Sequence, residues 1–166
     1  MRNLIAIPLF VLAVIVQSSI VSRIALLWGY ADVILILLAA WALQERVASA
    51  WHWAFFAAIL TGFVTRLPWT VVFAGYFAVV FIARSLSRRV WQAPLLAMFS
   101  VTFLGTLVMH LLSFVTLSLL GSPLPLGAVF GGITLPSLLL NMLFAIPLYA
   151  VMRDLSYWVY PAPEVE

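Results

Sequence analysis

The chain has 166 residues, of which 66% are hydrophobic and 8% charged, with a formal net charge of +3. An ordinary soluble domain carries roughly 25% charged residues, so this composition excludes a fold with a polar, water-facing exterior and points to lipid as the solvent. Cysteine is absent, which removes disulfides, thiolate catalysis and thiolate metal sites together, and the basic residues, all arginine, are spread through short polar connections instead of forming a nucleic-acid patch.

Formal charges punctuate the chain. Arg2 and Arg23 bound an apolar stretch, read as helix one over 4–21, close to the about 20 residues needed to cross a hydrocarbon core. Its start, Met1-Arg2-Asn3, has signal-peptide character, but no small-residue cleavage pattern stands near Ser18-Ser19, and the segment is expected to remain as a signal anchor. Asp32 and the Glu45-Arg46 pair bracket helix two over 32–45, the weakest span, which crosses only with its polar ends in the interfaces. Helix three over 47–65 and helix four over 68–84 fit between Arg46, Arg66 and Arg84. From Val90 to Met152 no residue is formally charged, which is ample for two crossings. Gly121-Ser122-Pro123-Leu124-Pro125-Leu126-Gly127 marks a turn or short re-entrant loop within this run, dividing it into helix five over 94–120 and helix six over 135–152. The expected architecture is one all-α integral membrane domain, a bundle of six transmembrane helices with an interfacial tail over 153–166.

With six crossings both termini share one side. Arg2, Arg46, Arg84, Arg88, Arg89 and Arg153 then face one compartment and only Arg23 and Arg66 the other, which places both termini in the cytoplasm. Trp28, Tyr30, Trp51, Trp53, Trp69, Trp91 and the Tyr157-Trp158 and Tyr160 group fall near span ends, where amphipathic rings favour the interface.

Few groups at depth carry chemistry. Asp32 is read as an ordinary interfacial carboxylate or as a partner of Arg23 or Arg66. His110 has no second histidine, cysteine or acid at ligand spacing, which favours a neutral ring hydrogen-bonded to a neighbouring helix over a metal or proton site. Asn141 needs a partner in lipid and is expected to face protein, with the polar end of helix one, a backbone carbonyl or a partner chain as alternatives. Gln17, Ser18, Asp32 and Arg66 make a candidate polar cluster. Ala54, Ala58 and Gly62 repeat at i, i+4, i+8, with Ala57, Thr61 and Thr65 alongside, a small-residue face suited to close helix packing. In helix six, Pro136, Ser137, Asn141, Ala145, Pro147 and Tyr149 form a candidate partner-binding set on a proline-bent helix, the alternative being a bend that merely completes the bundle. No Ser-His-acid set, paired carboxylates or Gly-rich phosphate loop occurs, and an embedded transferase or protease would need His110, Asp32 or Arg66 to meet in space. No metal and no cofactor is expected.

The run from Leu135-Pro136-Ser137 through Asn141 to Ile146-Pro147-Leu148-Tyr149, followed by Arg153, resembles the terminal pattern of the bacterial rod-shape-determining MreD family. Gln17-Ser18-Ser19 closing one helix and Asp32 opening the next is similar to that family's first hairpin. Two positions depart: Ala31-Asp32-Val33 stands where the family often has proline-aspartate-leucine, and Gly62-Phe63-Val64-Thr65-Arg66 lacks the acid common after the third-helix glycine. The resemblance implies a non-enzymatic scaffold of the elongation complex in the bacterial inner membrane, organising lateral peptidoglycan synthesis and rod cell shape. MreC is the implied main partner, with MreB, RodA and a class B penicillin-binding transpeptidase in the wider assembly. It also implies a fold similar to the S component of energy-coupling-factor transporters, which supplies the alternative, a substrate-binding membrane component for a vitamin or other small molecule. Self-association stays open.

Overall fold

The computed structural model describes residues 5–87, 93–122 and 124–160. Among them all regular structure is helical: α1 (Ala6–Ser19), α2 (Val33–Ala42), α3 (Ala50–Val64), α4 (Trp69–Ser87), α5 (Pro94–Leu119) and α6 (Leu126–Val159). The helices α4, α5 and α6 are long and apolar enough to cross a membrane. Most residues in their apolar stretches lie on the outside of the chain, where large side chains such as Phe81, Leu119 and Leu143 are exposed.

The arrangement is organised around α2. All ten of its residues are buried, and it touches each of the other five helices. A helix apolar all round belongs in a core, and Val33-Ile34-Leu35-Ile36-Leu37-Leu38 has no polar face to offer solvent. At about 1.5 Å per residue it is about 15 Å long, half the thickness of a hydrocarbon core. The segment expected to be the weakest span is therefore the central helix, starting at Val33 and ending at Ala42, well inside the bounds 32–45.

Small residues set the spacing around it. A Cβ on Gly105 of α5 would stand 2.8 Å from Val79 Cγ2 of α4 and 3.6 Å from Leu35 Cδ2 of α2, so three helices converge on that hydrogen. Ala54, Ala58 and Gly62 are buried within the chain, with the Trp69 ring over Gly62. That face is used in internal packing.

The last helix differs most from expectation. It was placed at 135–152, yet it begins at Leu126 and runs to Val159. Only the turn before it has helix-breaking geometry, with Gly121 at φ +82°. The later glycines are absorbed by a π-helical turn, Phe130–Thr134, where the Trp28 N–H donates to the Gly132 carbonyl at 3.1 Å and the Trp28 ring lies against Gly132. Beyond Met152 nothing interrupts the helix until Tyr160, which precedes Pro161. Tyr160 is docked: its hydroxyl lies 3.1 Å from Ser49 Oγ, and its carbonyl accepts from Arg46 at 3.3 Å. Residues 153–159 thus continue the helix. Arg2, Arg88, Arg89, Trp91, Pro123, the start of helix one and the tail over 161–166 lie outside the described residues.

Gly29, in the tight turn closed by the Leu26–Gly29 bridge, is pressed against α6. A Cβ there would lie 2.5 Å from the Ile133 carbonyl oxygen and 2.8 Å from the Ser137 backbone nitrogen, neither of which can swing aside. Gly29→Ala should therefore cost about 1–3 kcal/mol, read as a lowered thermal unfolding midpoint in detergent. Gly127→Ala, where nothing lies within 4 Å, should show no such loss.

Candidate functional site: a polar joint and the chamber beside it

Because α2 is short, the chain approaches it through a non-helical stretch at 30–32, whose backbone groups are met by side chains from both flanks. Ser137 Oγ accepts from the Tyr30 N–H at 3.1 Å. Gln17 uses both ends of its amide, donating to the Ala31 carbonyl at 2.7 Å and accepting from the Val33 N–H at 2.9 Å. Asn141 Oδ1 accepts from the Asp32 N–H at 2.7 Å. The other half of the Asn141 amide donates to Thr106 Oγ1 at 2.8 Å, and the Thr106 hydroxyl donates to the Thr102 carbonyl at 2.7 Å. Asp32 itself caps α2, its Oδ1 accepting from the Leu35 N–H at 2.9 Å, a carboxylate at the favourable end of the helix dipole.

This joint changes the reading of the last helix. Pro136, Ser137, Asn141 and Ala145 are buried inside the chain on the face of α6 that packs against α2 and α5. They hold the fold together and present no free surface to a second protein. Of the candidate partner set only Pro147 is exposed, and Tyr149 is half-buried.

Beside the joint lie two adjoining hollows that share Tyr30, Asp32 and Met109 in their walls. The smaller, about 340 Å³, is lined by Gln17, Ser18, Asp32, Thr61 and Tyr76 among others, with Thr61 Oγ1 3.3 Å from the Tyr76 hydroxyl. The larger, about 550 Å³, brings Asp32, Arg66, His110, Ser113 and Ser137 into one wall. Both volumes fall within the range of about 300–1,000 Å³ typical of ligand pockets. Of the candidate polar cluster, Gln17, Ser18 and Asp32 line the smaller hollow and Asp32 with Arg66 the larger, so Arg66 shares a wall with Asp32 but not with Gln17 or Ser18.

Of the two readings of Asp32, the pairing with Arg23 or Arg66 does not form. Among the described residues the one salt bridge is the exposed Arg153–Asp154 contact at 3.0 Å. His110 Nδ1 lies 3.0 Å from Thr134 Oγ1, a bond to the neighbouring helix as its isolation suggested. No group of three metal-ligating side chains occurs among the described residues. The arrangement holds one carboxylate and one guanidinium apart in a shared wall, geometry suited to binding.

Thr106 and Tyr76 are not marked by any sequence motif, and Tyr30 is marked only as an interfacial ring. Thr102, Thr106, His110 and Ser113 recur at helical spacing in a mostly apolar helix, and that stripe is the available signal for Thr106. No protein-family model, no curated protein and no solved structure matches this chain.

Replacing either amide strands buried backbone groups. Asn141→Leu leaves the Asp32 N–H without its acceptor, and Gln17→Leu leaves the Ala31 carbonyl and Val33 N–H unmet. Each should cost about 1–3 kcal/mol per stranded group. Because both act on one stretch of backbone, the double variant should lose less than the sum, a difference measurable by reversible unfolding in mixed detergent.

Proposed function

We propose that the chain is a multi-pass membrane protein, with six helices in the bilayer and both termini in the cytoplasm, acting as a non-enzymatic scaffold of MreD type. In this reading it holds MreC within the assembly that builds lateral cell wall, with MreB, RodA and a class B penicillin-binding transpeptidase in the wider complex. One observation carries the reading. The two separate segments that resemble the family, Gln17 with Asp32 near the start and Asn141 near the end, meet in a single hydrogen-bonded joint. Residues that define a pattern and touch one another across the fold behave as one structural unit.

The partner surface then lies elsewhere. On the opposite face of α6, Leu135, Leu139, Leu143 and Ile146 form an exposed apolar stripe at helical spacing, a face on which a single transmembrane helix can pack. The test is co-expression with MreC and recovery from mild detergent. MreC should co-purify with the unaltered chain, and the paired change Leu139→Trp with Leu143→Trp should reduce recovery several-fold without lowering the melting temperature. A well-folded chain that recovers no MreC overturns the proposal.

A second reading, the substrate-binding component of a small-molecule transporter, is favoured by the chamber itself, whose polar groups come from several helices. A thermal-shift screen of vitamins addresses it: a specific, micromolar ligand would favour transport over pure scaffolding.

A further inference from the structure

The larger hollow does not end at its polar wall. His110, Phe114 and Val129 also line an adjoining slot of about 280 Å³ between α5 and the start of α6. The rest of that slot is almost wholly apolar, built from Leu107, Leu111, Leu126 and Phe130 with Thr134 at its edge. Leu111, Leu126 and Phe130 are exposed, so the slot opens sideways onto the outer surface of the helices. A chamber carrying opposite charges therefore continues into a lateral apolar slot.

The charges are free to act on a ligand. Among the described residues Asp32 has no cation as ion-pair partner, and Arg66 has neither an ion pair nor a hydrogen bond, although both line one wall. An occupant that satisfies both carries a cation and an anion in one head, and an occupant that fills the slot carries a hydrocarbon chain. We propose that this site takes a zwitterionic phospholipid with an amine headgroup, its ammonium toward Asp32, its phosphate toward Arg66 and one acyl chain in the slot between α5 and α6. The inference rests on the membrane reading above and not on the partner. The arginine distribution places this end of the helices at the outer headgroup level, where such a lipid presents its head at the same depth as the chamber.

Asp32→Asn separates the two roles of that residue, since asparagine is as good a helix cap as aspartate but carries no charge. The delipidated full-length chain is incubated with dioleoylphosphatidylethanolamine, with dioleoylphosphatidylglycerol, or with free phosphoethanolamine, and bound species are counted by native mass spectrometry. The unaltered chain should retain one equivalent of the ethanolamine lipid about tenfold more tightly than the glycerol lipid. Asp32→Asn should abolish that preference while the chain stays folded, its melting temperature lowered by no more than the lost charge–dipole interaction allows. Arg66→Gln, on an exposed side chain, should weaken both lipids, and Leu111→Trp, which fills the slot, should exclude them. Equal retention of the two lipids by the unaltered chain, or a preference that survives Asp32→Asn, overturns the proposal. So does free phosphoethanolamine binding as tightly as the lipid, which would make the chamber a site for small zwitterions. None of these measurements involves MreC, so a failed co-purification and a failed lipid preference are separate results.

Discussion

A backbone that leaves a helix must find other hydrogen-bond partners, and away from water those partners must be protein. Here that constraint falls on the few residues before α2. The helix has only ten residues, so the chain reaches it as an extended strand of peptide whose N–H and carbonyl groups would otherwise be stranded. Gln17 from α1 and Ser137 with Asn141 from α6 supply the missing bonds. Both flanking helices are fixed in register by this demand, because a shift of one residue on either would turn its amide away. The chamber has the same origin. Once α2 stops at Asp32, the surrounding helices continue past it with no central helix to fill the space between them.

The other end of α2 is closed by different physics. Trp41 stacks on Trp53 with ring centroids 3.9 Å apart, Phe10 meets Trp53 edge-on at 5.7 Å, and Tyr160 leans on Trp41 at 6.2 Å. Aromatic pairs of this kind are worth about 0.5–1.5 kcal/mol beyond the area they bury. The two indole N–H groups have no hydrogen-bond partner among the described residues, so this end is held by packing at the expense of polar satisfaction. One end of the central helix is met by side-chain hydrogen bonds, and the other is held by stacked aromatic rings.

Helical class and the positions of α3, α4 and α5 were legible because charge and turn residues in an apolar chain leave little freedom in where a helix begins. The length of α6 was not. The run Gly121 to Gly127 reads as the break, with the helix resuming only at 135, yet helix begins within that run at Leu126 and the π turn that follows admits Trp28 at Gly132, a contact from a loop a hundred residues earlier that no local rule anticipates. The site was half legible. Asn141 and Gln17 stand out as amides that need partners in an apolar setting, but that they serve backbone instead of ligand depends on α2 being short and central, which composition alone does not distinguish from a span facing lipid. Within the candidate partner set, Ser137 and Asn141 are accordingly buried in the joint, whereas Pro147 is exposed.

The joint also has a consequence in time. Ribosomal synthesis delivers α2 as a short apolar helix with unmet peptide groups at its head, whereas Ser137 and Asn141 follow only 107 and 109 residues after the groups they meet. Until then the second helix is incomplete as an energetic unit, and its settled position is a late event in biogenesis. A segment translated long after α2 is thus the one that closes the middle of the described bundle.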